Sequence, residues 1–289
     1  MKTCLVLEGG ALRGIYTAGV LDSLQKENVK IDAIIGVSMG SLVGINYLSN
    51  QPGRALRYNL KYCQNKDYMG FLPLLKTGDI VNKEFAYYDL PNKLDYFDNE
   101  TYRKSKIKFY CTVTNIETGK AEYKEIKDAK KDTEYLRAGG SIPGVSKIVK
   151  IKNKKYLDGG IADAIPLQKA IDMGYEKIIL VLTRPMEYRK PERKINFLAR
   201  RYHHYPNFER AIRTRSQRYN KTIEKILELE KEKKIFVIRP SKKVSIKPIE
   251  HNPKRIEEQY NLGVTDFESQ KESLKKYLSK QNRKEKYEL

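Results

Sequence analysis

A serine near the start of the chain lies in a pattern typical of hydrolytic nucleophiles. Gly36-Val37-Ser38-Met39-Gly40 matches G-x-S-x-G, between a short apolar run and a segment rich in small residues. In this pattern a sharp strand-to-helix turn exposes the serine hydroxyl above a sheet, and the flanking glycines let the chain pass closely. A serine that only caps a helix matches the same five residues. The pattern therefore predicts a nucleophile at Ser38, with a purely structural serine as the alternative.

A glycine-rich loop precedes this serine. It runs from Gly9 to Gly14 as GGALRG. The dinucleotide pattern G-x-G-x-x-G fails at Ala11, and a P-loop fails because Ile15 follows Gly14 where a lysine is required. Free backbone N–H groups at the start of a helix either hold a phosphate or stabilise the oxyanion of an acyl intermediate. A serine on the next strand favours the oxyanion role, and a turn needed only for close packing is the alternative.

Asp158 is the candidate proton acceptor for the serine. Its D-G-G motif follows a short apolar strand, 120 residues after Ser38. A carboxylate at the carboxyl end of a strand lies at the sheet edge where ligands bind, although such a motif is also common in turns and helix caps. His203, His204 and His251 lie in segments whose Arg, Tyr and Pro content indicates surface loops. A histidine base is therefore the less favoured alternative to Asp158.

The elements around these residues predict an α/β fold. Apolar runs and helical spacing alternate at the start of the chain, and two further buried strands follow later. This βαβα opening predicts a parallel sheet with helices on both faces, in one domain over residues 1–289 with a basic helical portion from about residue 200. The predicted strands are Thr3–Glu8, Asp32–Val37, Lys177–Thr183 and Lys234–Arg239, and Ile107–Thr114 is predicted to be the first strand of a hairpin. The predicted helices are Gly14–Lys26, Ser38–Leu48, Phe208–Lys233 and Leu262–Leu278.

The charge of the chain is strongly positive but does not identify a partner. The formal net charge is +21, and the part from Arg184 onward holds 29 Lys and Arg against 15 Asp and Glu. A basic surface attracts phosphates of anionic lipid head groups or of nucleic acids. A biased composition with solvated lysines on every face explains the same charge. No zinc spacing, Arg-rich arm or RNA-binding signature supports nucleic acid, which is not expected as a partner.

Other sequence features concern the compartment and an acyl pocket. Cys4, Cys63 and Cys111 lack the spacing of a disulfide framework or a metal site, and no signal peptide or membrane-spanning run is found, so we expect a cytoplasmic protein. Seven aromatic residues in the segment Tyr68–Tyr102 are candidates for the lining of an acyl pocket. They are interpreted either as lining such a pocket or as core, and core is the more common role of aromatic residues.

Three motifs together resemble the patatin-like phospholipase family. They are LVLEGGALRGIYTAGVLDSL, IIGVSMGSLVG and YLDGGIADAIPL, and RAGGSIPGV upstream of the D-G-G strand also fits the family. The resemblance covers roughly residues 3–183 well. It implies a three-layer α/β/α fold with a mainly parallel central sheet, and a bacterial cytoplasmic serine hydrolase. On this view the basic last third contacts an anionic membrane surface or the lipid head group.

The resemblance also implies roles for individual residues. Ser38 is the nucleophile and Asp158 the base of a dyad, without metal or cofactor. Gly9, Gly10 and Ala11 donate N–H groups to the oxyanion, and Arg13 supports that loop or meets a substrate phosphate. Ala11 stands where the family usually has glycine, and a methyl group is tolerated there if φ is negative.

The activity that the resemblance implies is hydrolysis of carboxylic esters in phospholipids or lysophospholipids, through an acyl-enzyme. An acyltransferase would use the same dyad with another acceptor. A non-enzymatic lipid-binding protein of the same fold is the third hypothesis, which an intact Ser38 and Asp158 disfavour.

Overall fold

An eight-stranded sheet forms the centre of the computed structural model, which describes residues 1–192, 196–243 and 245–280. Five strands run parallel in the order β3-β2-β1-β7-β8, while β4 and β6 are antiparallel to β3 and β5 is antiparallel to β6. This confirms the predicted mainly parallel sheet. The strands are β1 (Thr3–Leu7), β2 (Ala33–Val37), β3 (Lys108–Asn115), β4 (Ala121–Glu125), β5 (Val149–Ile151), β6 (Lys154–Asp158), β7 (Lys177–Val181) and β8 (Phe236–Ile238).

Helices connect most of these strands. Besides the α-helices, two short 3-10 turns cover Ala11–Gly14 and Gly159–Ile161, and a π-helical segment covers Phe85–Leu94. Within the described ranges, no helix combines the length and the apolar character needed to cross a bilayer. The helices are α1 (Ile15–Lys26), α2 (Met39–Leu48), α3 (Arg54–Tyr62), α4 (Phe71–Thr77), α5 (Asn99–Lys104), α6 (Thr133–Gly140), α7 (Leu167–Asp172), α8 (Asn196–Arg200), α9 (Pro206–Arg213), α10 (Arg215–Lys231) and α11 (Pro253–Ser279).

The two faces of the sheet bury different side chains. Along β1, Leu5 and Leu7 pack with α1, α2 and α11 on one face, whereas Cys4 and Val6 pack with α7 and α10 on the other. The alternation arises because successive side chains of a strand point to opposite faces. Helices therefore cover both faces, and the predicted three-layer α/β/α architecture is confirmed.

Strand register brings the ends of β2 and β6 together. Thr112 of β3 is paired with Val37 of β2 on one edge and with Tyr123 of β4 on the other. The next residue, Val113, is paired with Asp158 of β6 on the edge opposite β4. Strands β2 and β6 therefore approach the same edge of β3 from opposite directions. The residue that follows β2 lies beside the last residue of β6.

The charged stretch predicted as one helix over Phe208–Lys233 is two helices. α9 ends at Arg213 and α10 begins at Arg215, and the hydroxyl of Thr214 between them donates to the carbonyl oxygen of Arg210 at 2.9 Å. A threonine hydroxyl bonded to the preceding turn is a common accompaniment of helix bending. The spacing of apolar residues continues through the break, so periodicity alone does not reveal it.

The C-terminal third contributes to both faces of the same sheet. β8 extends the sheet beside β7, while α10 and α11 pack on opposite faces. α11 contacts α1 where Gly19 faces Gly263, and a Cβ on either glycine would lie 2.2 Å from a carbonyl oxygen of the facing helix. These contacts support the prediction of a single domain over 1–289. It stays a prediction, and residues 281–289 lie outside the described residues.

Candidate active site

Ser38 occupies a sharp turn between β2 and α2. Its backbone angles are φ 52° and ψ −126°, a conformation that side chains rarely adopt. A Cβ on Gly36 would lie 2.7 Å from the backbone nitrogen of Ser41, and one on Gly40 would lie 2.7 Å from the carbonyl oxygen of Leu7. The two glycines of the motif are therefore required by close backbone approach. Ser38, which they position, is 8% exposed and lines two cavities.

Asp158 contacts this hydroxyl directly. The distance from Ser38 Oγ to Asp158 Oδ2 is 2.6 Å, and Oδ1 of Asp158 accepts the backbone N–H of Gly160 at 2.7 Å. Burial raises the pKa of the Asp158 carboxyl, while the hydrogen bonds from Ser38 and Gly160 and the positive charge of Arg215 oppose that shift. One carboxylate oxygen thus accepts the serine hydroxyl, and the other is bonded to the backbone.

The three histidines lie away from this pair. His203 and His204 are exposed and stack on one another, with ring centroids 3.7 Å apart. The Nδ1 atom of His251 lies 2.5 Å from the carbonyl oxygen of Cys63. Neither cavity that Ser38 borders is lined by a histidine within the described residues. The geometry therefore favours Asp158 over a histidine as the proton acceptor.

The glycine loop lies against the serine turn. A Cβ on Gly9 would lie 3.1 Å from the Cβ of Ser38, so the loop packs as closely as a glycine allows. Within the described part of the chain, the N–H groups of Gly10 and Ala11 have no hydrogen-bond acceptor, whereas that of Gly9 donates to the carbonyl oxygen of Ala164 at 3.4 Å. Two of the three predicted donors are thus free to bind an oxyanion.

The negative φ under which a methyl group at Ala11 is expected to be tolerated is not found. The φ of Ala11 is +49°, which is the region where glycine is favoured and where an L side chain costs about 1–2 kcal/mol. Ala11 is the first residue of the 3-10 turn Ala11–Gly14, and its N–H has no acceptor within the described residues. The methyl group is therefore accommodated at the cost of backbone strain, which the sequence alone did not indicate.

A further candidate donor, the backbone N–H of Met39, was not named from the sequence. Met39 is the first residue of α2 and follows the serine directly, so its N–H belongs to the unpaired first turn of a helix. In hydrolases with a G-x-S-x-G turn, the N–H after the nucleophile is an oxyanion donor. The signal was local, since Met39 lies within the motif that identified Ser38.

An apolar cavity of about 220 Å³ opens beside Ser38. Tyr68, Tyr87, Tyr88 and Phe97 line it, so part of the aromatic segment forms a cavity wall; Phe71 is instead 77% exposed. The alternatives of core and pocket therefore both hold in part. Aliphatic side chains complete the wall: Leu42, Ile45, Met69, Val81, Leu90 and Leu136.

Arg13 lies in a second cavity, of about 170 Å³, that Ser38 and Asp158 also line. Its backbone N–H donates to the carbonyl oxygen of Gly10 at 3.2 Å, and its carbonyl oxygen accepts the side-chain amide of Gln259 at 3.2 Å. The backbone of Arg13 thus stabilises the loop, while its side chain lines the cavity. Four residues border both cavities: Ala11, Ser38, Ile142 and Pro248.

Similar proteins were found by sequence and by structure. YjjU of Escherichia coli K12, an uncharacterized protein, is 27% identical over 192 residues, covering 64% of this chain and 53% of YjjU. Lysophospholipase NTE1 of Coccidioides immitis is 27% identical over 182 residues, covering 61% of this chain and 11% of that protein. The chain thus spans about half the length of the first relative and about a tenth of the second. The crystal structure of VipD from Legionella pneumophila matches with a TM-score of 0.41 and 14% identity, covering 93% of this chain and 67% of VipD, a likeness too distant to bear on function.

Two family models match different parts of the chain. The model of a domain of unknown function, DUF6363, matches residues 205–279, which include α10 and α11. The model described as patatin-like phospholipase matches residues 5–171, more than half of the chain, and includes Ser38, Asp158 and the glycine loop. The chain therefore belongs to the patatin-like phospholipase family.

Proposed function

We propose that this protein is a lipid acyl hydrolase that cleaves carboxylic esters of phospholipids or lysophospholipids with a Ser–Asp dyad. The observation that carries the proposal is the 2.6 Å contact between Ser38 Oγ and Asp158 Oδ2, in a strained turn beside an apolar cavity. Membership of the family and the resemblance to lysophospholipases of fungi support it.

The proposed reaction has two halves. Ser38 Oγ attacks the ester carbonyl carbon while Asp158 Oδ2 takes the hydroxyl proton. The tetrahedral intermediate collapses, the alcohol leaves with the proton from Asp158, and the acyl group remains on Ser38. A water molecule then attacks the acyl-serine, with Asp158 again accepting a proton, and the fatty acid leaves as the hydroxyl of Ser38 re-forms.

Backbone amides are proposed to stabilise both tetrahedral intermediates. Gly10 and Ala11 line a cavity together with Ser38, and Met39 follows Ser38 directly; the N–H groups of all three have no acceptor within the described ranges. Losing one such donor typically costs about 3 kcal/mol in the transition state. The backbone strain at Ala11 fits this role, since strained loops that persist are often those that hold a reacting group.

The acyl chain is proposed to lie in the apolar cavity. Its aromatic and aliphatic wall reaches Ser38, so a chain bound there would present its ester carbonyl to the hydroxyl. Phe71 and Leu75 of α4 are more than two thirds exposed, next to cavity residues Tyr68 and Met69. Their exposure and the basic charge support peripheral contact with an anionic membrane. That contact and the cytoplasmic compartment remain predictions.

Product analysis tests the reaction class. Purified protein is incubated with 1-oleoyl lysophospholipid, and free oleate and oleoyl esters are quantified by mass spectrometry with and without added glycerol. We expect free oleate as the main product in both cases. Oleoyl-glycerol as the main product when glycerol is added would indicate the acyltransferase instead, and no turnover of any ester by folded protein would favour the lipid-binding alternative.

A further inference from the structure

The second cavity beside Ser38 contains an unusual concentration of positive side chains. Arg13, Arg184, Lys190 and Arg215 all line it, and together they are called the cationic recess here. They come from the glycine loop, from the segment after β7 and from the first turn of α10. Only Arg13 was singled out in the sequence analysis, because the other three lie in a stretch where basic residues are frequent.

Within the described residues, the protein neutralises this charge only in part. Within the described ranges, none of the four side chains has a carboxylate within ion-pair distance. Besides Asp158, the carboxylate lining the cavity is that of Glu8, and its oxygens already accept the hydroxyl of Tyr219 at 2.8 Å and the backbone N–H of Thr183 at 2.6 Å. The recess therefore keeps a positive excess in a partly buried place.

Aromatic rings and a backbone carbonyl orient three of the cationic side chains without occupying most of their N–H donors. The Lys190 ammonium lies 4.5 Å from the ring centroid of Tyr219, and the Arg184 guanidinium lies 4.4 Å from that of Tyr188. Arg215 donates its Nε–H to the carbonyl oxygen of Gly160 at 2.7 Å. These contacts hold the stems and planes of the side chains. Most of their N–H groups have no hydrogen-bond acceptor among the described residues.

Two further observations indicate that this cavity is suited to an anion. The Nε atom of Arg13 is buried and has no hydrogen-bond partner among the described residues, which is a costly state for a cationic donor. Burial, and after it the charge of Arg215, lowers the pKa of Lys190 to about 8, and burial and the charge of Arg184 lower the pKa of Arg13. An anion in the cavity would satisfy the buried donor and relieve the mutual repulsion.

We propose that the cationic recess binds the phosphate of the substrate head group, so that the enzyme prefers acyl esters whose head group carries net negative charge. This proposal rests on the proposed function, because Ser38 lies where the recess and the apolar cavity meet. An acyl chain in the apolar cavity and a phosphate in the recess place the intervening ester at Ser38. A choline head group would add a further positive charge to the recess and is disfavoured by repulsion.

The test compares three oleoyl esters in neutral detergent micelles: lysophosphatidylglycerol, which is anionic, lysophosphatidylcholine, which is zwitterionic, and monooleoylglycerol, which is uncharged. We expect kcat/KM for the anionic ester to exceed that for the choline ester about tenfold, the size of one charge-assisted hydrogen bond. Lys190→Met and Arg184→Met should each remove most of this preference, read as the ratio of kcat/KM for the anionic ester to kcat/KM for monooleoylglycerol within the same variant. Lys190→Arg should retain it.

A matched control separates the recess from the general basic surface. Lys221 is exposed on α10, so Lys221→Met removes the same charge outside the recess. It should leave the preference unchanged. Equal loss in Lys221→Met and Lys190→Met, or no preference in the unmodified protein, would overturn the head-group assignment.

A binding measurement makes the outcome independent of turnover. Calorimetry with the Ser38→Ala variant should detect binding of sn-glycerol 3-phosphate, and Lys190→Met added to it should weaken that binding about tenfold. Binding without hydrolysis of any ester would support the recess and refute the proposed function. Inorganic phosphate bound equally well, together with no head-group preference, would identify free phosphate as the ligand and overturn the proposal. Failure to bind either phosphate would overturn it as well.

Discussion

Replacing Ser38 by alanine is expected to abolish labelling by a serine-directed fluorophosphonate and to lower kcat/KM for lipid esters by roughly 10⁴-fold or more. The reason is that the hydroxyl at this turn is the proposed nucleophile, and Asp158, 2.6 Å away, is placed to take its proton. Labelling is read by gel fluorescence and intact-protein mass. Ser41, three residues along in α2, provides the matched control, since Ser41→Ala should still be labelled. Persistent labelling of Ser38→Ala would exclude Ser38 as nucleophile.

A glycine at the same position distinguishes lost chemistry from lost folding. Ser38→Gly should be as inactive as Ser38→Ala, but it should unfold at a higher temperature. A backbone at φ 52° and ψ −126° is allowed for glycine but strained for alanine, which favours the folded glycine variant by roughly 1–3 kcal/mol. The greater conformational entropy of glycine in the unfolded chain offsets part of this gain. A net gain of about 1 kcal/mol corresponds to about 2 °C in a protein of this size. Equal melting temperatures would contradict the strained turn.

Replacing Asp158 by asparagine is expected to lower kcat/KM by roughly 10³-fold, the usual contribution of a general base. The amide keeps the size of the side chain and an oxygen for the N–H of Gly160, but its other end cannot accept the serine proton. Asp163→Asn is a suitable control, because Asp163 is also a carboxyl whose pKa burial raises and it bonds Tyr123 instead of Ser38. Activity of Asp158→Asn within tenfold of the unmodified protein would rule out Asp158 as the base.

Because the pKa of Asp158 is raised, both the activity of the unmodified protein and the effect of Asp158→Asn on stability should depend on pH. Ionised Asp158 is needed as base, so activity of the unmodified protein should fall with acidification at a pH above the ordinary aspartate value of about 3.9. Because the folded-state pKa is raised, the ionised carboxylate destabilises the fold. That cost is fully present above the folded pKa, decreases as the pH falls through it, and is lost below the ordinary pKa of the unfolded chain. Asp158→Asn should therefore melt at a higher temperature than the unmodified protein at pH 7, with a gap that narrows in acid. A gap that widens in acid would contradict the shift.

Local patterns in the sequence carried the prediction of the fold class and family. The β1–α1–β2–α2 opening is visible from apolar runs and helical spacing, and the comparisons confirm the family. The candidate residues Ser38 and Asp158 are local too, since each lies at a strand end beside glycines that close packing requires. These features are predictable because secondary-structure propensity, hydrophobic alternation and turn chemistry depend on residues that are close together in the sequence.

Tertiary structure alone decided the remaining features. The pairing of Thr112 with Val37 and of Val113 with Asp158 sets the distance within the dyad, and no sequence pattern encodes a register across 120 residues. The positive φ of Ala11 depends in the same way on how the glycine loop packs on its neighbours.

The cationic recess shows the same division. Arg184, Lys190 and Arg215 are three basic residues among many, and they become distinct only because β7 and α10 bring them to one cavity beside Ser38. The sequence was sufficient to predict which residue types are available and where the local turns lie. Distances between elements arise from long-range strand pairing and helix packing, so they were decided only when the whole chain folded.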